Sequence, residues 1–296
     1  MVALASLWGA SFIFVRAAVP DFGPIALAAV RVFGAALCLV PIVLWRGQGA
    51  ELIRNWKHLF VCGVLSLALP FALVSYALMS LTGGLASIFN ATTPLWGAIV
   101  AWVWLGDRLS GSRIMGLLIG FAGVSWLAWT KASFTPDATG QSSGLAITAL
   151  LFSTLFYALG VSYTKRFLGH VAPLVTAAGS QVGASVMLAV PAALWWPTAM
   201  PSAISWASAA LLAVASTAVA YILFFRLIDK IGPSNAIATT FLVPAFASLW
   251  GWLVFSETLS SQMVIGCVII VCGTVLAVGL VKLGRSAPAN NLTLPH

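Results

Sequence analysis

Ten long, nearly uncharged runs dominate the sequence, each bounded by charged residues, proline or glycine. A helix that crosses the hydrocarbon layer of a membrane needs about 20 apolar residues, and the runs have about this length. Barrel strands would instead show segments of about ten residues with alternating polarity. The sequence therefore predicts an all-α integral membrane protein with ten transmembrane helices. The predicted spans are residues 2–19, 24–45, 56–80, 84–105, 114–130, 145–163, 173–196, 204–228, 235–255 and 264–283.

Charged residues make up only 7% of the chain, whereas a soluble domain has about 25%. A soluble fold is therefore excluded. The four cysteines all fall inside predicted spans, which argues against a disulfide framework and a clustered metal site. We expect neither a metal nor a cofactor. The cysteines are Cys38, Cys62, Cys267 and Cys272.

The basic residues indicate how the chain is oriented. With the N-terminus in the cytoplasm, the second, fourth, sixth and eighth connections and the C-terminal tail carry most of them, as the positive-inside rule requires. Only Arg16 and Lys131 lie toward the other face. We expect both termini in the cytoplasm and a multi-pass protein of the inner membrane. Because the basic residues are scattered singly along one face, the net charge of +8 does not indicate nucleic-acid binding.

The chain contains two copies of one unit, offset by 149 to 150 residues, as in repeat architectures. We predict repeats at residues 1–133 and 145–284, a linker at 134–144 and a polar tail at 285–296. Coinciding landmarks are Arg16 with Lys165, Pro24 with Pro173, Gly34 with Gly183, Ser66 with Ser216, Pro94 with Pro244, Asp107 with Glu257 and Gly123 with Gly273.

Each copy has five spans, an odd number, so the second copy must enter the membrane from the opposite side. Inverted repeats of this kind are typical of secondary transporters, whose substrate site lies between the copies near the midplane. Asp107 and Glu257 are expected at equivalent helix ends on opposite faces. Neither is expected to be buried enough to carry a proton.

Pro94 and Pro244 lie near the middle of the fourth and ninth spans. Proline lacks an N–H group and pushes against the carbonyl group four residues earlier, which belongs to Asn90 or Thr240. A broken helix with polar groups is tolerated inside a membrane where it is buried or borders a cavity. The symmetric pairing favours two helix pivots over inert kinks satisfied by nearby hydroxyl groups.

Arg31 lies seven residues inside the second span. An ionisable group at this depth usually faces the interior of the helix bundle or a water-filled cavity. One interpretation is structural, with the side chain reaching the outer interface or pairing with Asp21. The other places Arg31 beside the substrate path.

Polar and aromatic residues within the spans are candidates to contact a substrate. An aromatic-walled cavity would favour a substrate with an apolar body and a polar end, although packing is the alternative role for each aromatic ring. The candidates are Trp8, Ser11, Tyr76, Asn90, Thr93, Trp96, Tyr157, Tyr221 and Thr240.

The fifth and tenth spans carry glycines at spacings that allow helix backbones to approach closely. They are predicted to be scaffold helices. We expect a monomer, with a dimer through these two helices as the alternative. The glycines are Gly116, Gly120, Gly123, Gly266 and Gly273.

These landmarks together resemble the drug/metabolite transporter superfamily, in its ten-helix EamA-type branch. The resemblance rests on the first-span stretch from Leu7 to Phe12, on Arg31, and on the passage from Pro94 to Gly123 that recurs from Pro244 to Gly273. It implies that helices one to four and six to nine surround a central cavity while five and ten lie outside. Within the branch, the chain is similar to the YddG-type aromatic amino acid exporters.

The sequence thus favours a secondary transporter, with the lipid bilayer and a small-molecule substrate as its partners. Amino acids, including aromatic and other apolar ones, are the expected cargo, exported by alternating access. The alternatives are an exporter of drugs or other metabolites, including dicationic compounds, and a translocator of lipid-linked substrates. No intramembrane protease motif is present, so no enzymatic activity is expected. All acidic residues lie at or beyond span ends, which favours gradient-driven transport over a buried proton relay.

Overall fold

The computed structural model describes residues 1–106, 109–133, 142–231 and 238–279. Within these ranges the chain forms ten apolar helices, which we number in chain order. They are α1 (Val2–Phe22), α2 (Pro24–Trp45), α3 (Trp56–Ala77), α4 (Gly83–Leu105), α5 (Gly111–Lys131), α6 (Ser143–Phe167), α7 (Pro173–Leu194), α8 (Ala203–Phe224), α9 (Thr239–Phe255) and α10 (Ser261–Val278).

Nine of these helices are long and apolar enough to cross a membrane, and the tenth, α9, is a shorter apolar helix. The ten predicted spans are therefore confirmed, and the protein is a multi-pass membrane protein. A short helix, Gly49–Arg54, lies between α2 and α3, and helical structure continues from α8 to Ile231. The side to which the termini face stays a prediction.

The repeat is visible in where the helices begin and end. α2 and α7 both start at a proline, which suits the first turn of a helix because its missing N–H group is not needed there, and their bounds differ by 149 residues. α5 and α10 start 150 residues apart, at Gly111 and Ser261. Each is preceded by a serine, Ser110 or Ser260, whose hydroxyl accepts a backbone N–H group of the first turn.

The packing of the helices follows the same repeat. α1 packs on α8 and α9, and its counterpart α6 packs on α3 and α4. Three further pairs join each helix to its own counterpart, namely α2 with α7, α4 with α9 and α5 with α10. The two halves therefore interlock instead of forming separate bundles.

α5 and α10 pack mainly against each other, as expected for scaffold helices. Glycines let their backbones meet, since a Cβ atom added to Gly273 would lie 2.5 Å from the Cα of Gly120. A Cβ atom on Gly123 would lie 2.7 Å from the side chain of Ile269. These glycine faces are thus used within the chain, and the oligomeric state stays a prediction.

Candidate substrate site

Both predicted helix breaks are present, at equivalent positions of the two repeats. In α4, a first helix ends at Asn90 and a second begins at Thr93. In α9, a 3-10 helix ends at Leu242 and an α-helix begins at Val243. In each case the proline is the second residue of the new helix, a position that does not require its N–H group. The prolines therefore start new helices instead of bending continuous ones.

Polar groups surround these breaks. The freed carbonyl group of Asn90 accepts the hydroxyl of Thr93 at 2.8 Å, and the hydroxyl of Thr92 donates to that of Thr154 in α6 at 3.3 Å. The side-chain oxygens of Asn90 and Thr239 are buried and have no hydrogen-bond partner in the described part of the chain. Each repeat thus places a buried polar oxygen beside its break.

Arg31 is buried in the bundle, with 8% of its surface exposed. Its Nε donates a hydrogen bond to Oγ1 of Thr217 in α8 at 3.0 Å. The centre of its guanidinium lies 3.6 Å from the ring centroid of Phe71 in α3. Arg31 does not pair with Asp21, whose carboxylate accepts hydrogen bonds from Ser202 and Ser205, so that form of the structural interpretation is wrong. The burial fits the second interpretation, a place inside the bundle.

Two of the predicted tyrosines are brought together near Arg31. Tyr157 of α6 and Tyr221 of α8 both pack against one apolar cluster that contains Phe71. The rings of Tyr157 and Phe71 are 6.4 Å apart in an edge-to-face arrangement. Because Phe71 belongs to the first repeat and the tyrosines to the second, both halves contribute aromatic rings to this cluster.

Other candidates lie elsewhere. Trp8 of α1 stacks at an angle on Phe224 of α8, with ring centroids 5.4 Å apart, and the hydroxyl of Ser11 donates to the carbonyl oxygen of Trp8 at 2.6 Å. Trp96 packs edge-to-face on Phe121 of the scaffold helix α5, so it is not part of the cluster.

Tyr76 and Thr240 are both half-buried. The side chain of Tyr76 forms no hydrogen bond or ring contact with the described residues, although its backbone carbonyl group accepts the N–H group of Met79 at 3.2 Å. Tyr76 is not among the residues that pack against the apolar cluster containing Phe71.

Three further residues with notable surroundings were not predicted from the sequence. Phe71 and Thr217 contact Arg31, and Gln181 of α7 is fully buried with both side-chain polar atoms unpartnered among the described residues. An amide in an apolar helix is a detectable signal, because burying it without a hydrogen bond is costly. Thr217 lies in a π-helical stretch, Val214–Val219, of the kind often found at functional sites. The sequence of this stretch does not indicate that it is π-helical.

Glu257 departs from the expectation that it is not buried. Only 8% of its side chain is exposed, and it forms an ion pair with Arg16 of α1. Its carboxylate also accepts the backbone N–H groups of Gly83 and Gly84 at 3.2 and 3.3 Å, at the start of α4. Its repeat counterpart, Asp107, lies outside the described residues.

The other two acidic side chains that the structure describes also cap helices of the opposite repeat. Asp21 accepts the backbone N–H group of Ser202 at 2.9 Å and the hydroxyl of Ser205 at 2.7 Å, at the start of α8. Glu51 accepts the N–H group of Ala172 at 3.0 Å, at the start of α7. A negative charge is favourable at a helix N-terminus. Within the described ranges, no group of three His, Cys, Asp or Glu residues could hold a metal ion.

Two cavities lie away from the cluster around Arg31. One, of about 490 Å³, lies between α4, α9 and α10 and is lined by apolar residues such as Ile88, Leu249 and Met263. The other, of about 310 Å³, lies between α3 and α7. Of the predicted site residues only Pro244 lines the first, and none lines the second. The predicted central cavity is not either of these two.

Two segments of the chain, residues 1–129 and 144–279, match the family described as the EamA-like transporter family. Three relatives cover most of this chain. The uncharacterized transporter YvbV of Bacillus subtilis is 27% identical over 90% of this chain and 87% of its own length. The uncharacterized inner membrane transporter YedA of Escherichia coli K12 is 26% identical over 100% and 94%. The WAT1-related protein At3g02690 of Arabidopsis thaliana is 26% identical over 93% and 66%.

A solved crystal structure has the same fold. It superposes with a TM-score of 0.66 at 20% sequence identity and covers 93% of this chain and 95% of its own. At this identity the likeness concerns the fold alone. It agrees with the arrangement of ten helices in this chain.

Proposed function

The chain belongs to the EamA-like transporter family, and we propose that it exports amino acids, including aromatic and other apolar ones, across the cell inner membrane. The observation that carries this proposal is the aromatic cluster formed by Phe71, Tyr157 and Tyr221 at the boundary between the repeats. Aromatic walls suit a small solute with an apolar body. A site built by both halves suits a substrate that is passed from one face of the membrane to the other.

Transport proceeds by alternating access, in which the two halves move against each other around the substrate. The breaks at Pro94 and Pro244 supply equivalent pivots, since a helix can change direction where its hydrogen-bond ladder is interrupted. α5 and α10 lie outside the moving part, in keeping with their packing on each other. The distribution of basic residues supports a protein with both termini in the cytoplasm.

The driving force is the gradient of the substrate itself. The three acidic side chains that the structure describes, Asp21, Glu51 and Glu257, are all engaged at helix N-termini. A proton relay would use carboxylates that change partners inside the membrane. We therefore expect uptake into proteoliposomes to be independent of an imposed pH gradient, and a strict requirement for one would contradict this mechanism.

Arg31 disfavours the alternative of a dicationic drug as substrate, because a buried positive charge beside the cluster repels cations. Among the described residues, none that lines the cavity between α4, α9 and α10 is basic. This disfavours the lipid-linked alternative, because an anionic headgroup there would need a basic partner.

Counterflow in proteoliposomes distinguishes these classes. Vesicles preloaded with one unlabelled compound are tested for uptake of the same labelled compound, from a panel of phenylalanine, tryptophan, leucine, a dicationic drug, a sugar and a nucleoside. We expect accumulation of the three amino acids. Accumulation of the dication or the sugar, with none of the amino acids, would overturn the proposal.

A pair of variants on one helix connects the result to the cluster. Tyr157→Ala should lower counterflow, whereas Phe152→Ala, on the same helix but 54% exposed, should leave it unchanged. Equal rates in the wild type and both variants would remove the cluster from the transport path.

A further inference from the structure

Arg31 differs from the other described basic residues in its surroundings, being buried among apolar and aromatic side chains of α2, α3 and α8. Its two known contacts fix the orientation of the guanidinium. Phe71 covers one face of the plane at 3.6 Å, and the Nε–H group is used by Thr217. The hydroxyl of Thr217 is itself held by donation to the carbonyl group of Leu212 at 2.8 Å. The side chain is thus positioned before any ligand arrives.

The two terminal amino groups of Arg31 are not used in this way. The one hydrogen bond that Arg31 donates to the described residues uses Nε, so neither terminal amino group donates to them. A guanidinium presents its terminal N–H groups in a fork that matches a carboxylate in two parallel hydrogen bonds. The edge that would form these bonds is therefore the part of Arg31 that has no hydrogen-bond partner among the described residues.

The charge of Arg31 is also not balanced by a carboxylate of the described chain. Buried charges are normally paired, and the acidic residue closest in sequence, Asp21, is committed to the start of α8. Glu51 and Glu257 are likewise committed to helix starts. A buried cation that has no carboxylate partner among the described residues suits a site where the anion is the ligand.

The repeat supplies an independent observation. At the offset of 149 residues that aligns α2 with α7, the counterpart of Arg31 is Ser180. Its hydroxyl donates to the carbonyl group of Ala177 in its own helix at 3.0 Å. A role in holding the duplicated scaffold would be expected in both copies. Because only one copy of the repeat has this cation, we expect it to bind a ligand that has a single charged end.

We propose that Arg31 is the carboxylate-binding subsite of the transporter, with Phe71, Tyr157 and Tyr221 holding the apolar body of the same ligand. The ligand class is a small organic carboxylate with an apolar side chain, which includes the α-carboxylate of aromatic amino acids. This inference rests on the proposed function and specifies how its site recognises substrate.

The first test uses the wild-type protein purified in detergent and two ligands of nearly the same shape, one charged and one uncharged. Binding of 3-phenylpropionate and of 3-phenylpropionamide is measured by titration calorimetry. Two hydrogen bonds to a charged group lead us to expect tighter binding of the carboxylate by about 10- to 100-fold. Equal affinity for the two compounds would overturn the proposal without any variant being needed.

The second test asks whether Arg31 is the source of this preference. In Arg31→Gln the ratio of the two affinities should fall to about one, and in Arg31→Lys it should be reduced, since a lysine keeps the charge but not the fork. Arg54→Gln removes an exposed arginine and should keep the wild-type ratio. If Arg31→Gln does not fold, Arg31→Lys gives the answer, and an unchanged ratio in the variant that folds would overturn the proposal.

These measurements are separate from transport. Tight, Arg31-dependent binding of the carboxylate together with no counterflow of amino acids would contradict the proposed function alone. Counterflow of amino acids together with equal binding of carboxylate and amide would contradict the carboxylate subsite alone.

Discussion

Arg16 and Glu257 form an ion pair that joins α1 to the segment between α9 and α10. The guanidinium of Arg16 also lies 4.9 Å from the ring centroid of Phe255, at the end of α9. Gly251 makes room for the carboxylate, because a Cβ atom there would lie 2.6 Å from Oε2 of Glu257. With its hydrogen bonds to the start of α4, one carboxylate holds three helices from both repeats together at one face of the protein.

Replacing Glu257 by glutamine should destabilise the protein. The change removes the charge while nearly keeping the size, and leaves Arg16 without its counter-ion. We expect the free energy of unfolding to fall by about 1–3 kcal/mol, between the values for exposed and buried pairs, because Arg16 is still about a third exposed. Thermal denaturation in detergent, followed by tryptophan fluorescence, measures the change.

Glu51→Gln is the matched control for this experiment. Glu51 also caps a helix start in the opposite repeat, but it has no arginine partner among the described residues. Glu51→Gln should lower the free energy of unfolding by less than Glu257→Gln does. Equal losses in the two variants would show that capping alone, and not the ion pair, stabilises the Glu257 site.

The repeat predicts a second ion pair on the opposite face, between Lys165 and Asp107. These residues occupy the positions of Arg16 and Glu257 in the other copy, although Asp107 lies outside the described residues. A double-mutant cycle with Lys165→Gln and Asp107→Asn should give a coupling energy of at least about 0.5 kcal/mol. Strictly additive effects would mean that the two residues do not pair.

Alanine at either helix break should slow transport. Pro94→Ala and Pro244→Ala restore a backbone N–H group, so a continuous helix can form across each break. We expect counterflow to slow about tenfold, equivalent to about 1.4 kcal/mol on the activation barrier, with nearly unchanged thermal stability. Pro41→Ala, at a proline within α2 and away from the breaks, should transport at the wild-type rate. Wild-type rates in both break variants would rule out the pivots.

Adding one methyl group at two glycines should have opposite effects. Gly273→Ala places a Cβ atom against the backbone of α5, and overpacking of this kind costs about 1–3 kcal/mol. Gly97 in α4 has open space around it, so Gly97→Ala should stabilise its helix by about 0.5–1 kcal/mol. A denaturation midpoint of Gly273→Ala at or above that of the wild type would contradict the close contact of α5 and α10.

Features set by local sequence were predicted well. Helix lengths follow from apolar runs, and the breaks at Pro94 and Pro244 follow from the missing N–H group of proline. The repeat was readable because prolines, glycines and acidic residues recur at one spacing. The glycine spacing in α5 and α10 indicates close backbone contact, although it does not identify the partner helix.

Features that depend on distant contacts were not predictable in this way. The surroundings of Arg31 come from α3 and α8, and no local pattern in α2 indicates that Phe71 and Thr217 meet it. Glu257 follows a helix end and therefore resembles an exposed residue, yet its burial arises from α1 and α4. Such burial is decided by which helices pack together, information that a single sequence does not carry.

The acidic caps have a consequence for how the two halves can exist. Asp21 and Glu51 of the first half complete the starts of α8 and α7, and Glu257 of the second half completes the start of α4. Expressed alone, each half would leave backbone amide groups without the acceptors that only its companion provides. Joining both halves in one polypeptide guarantees that they are synthesised in equal number and at the same place.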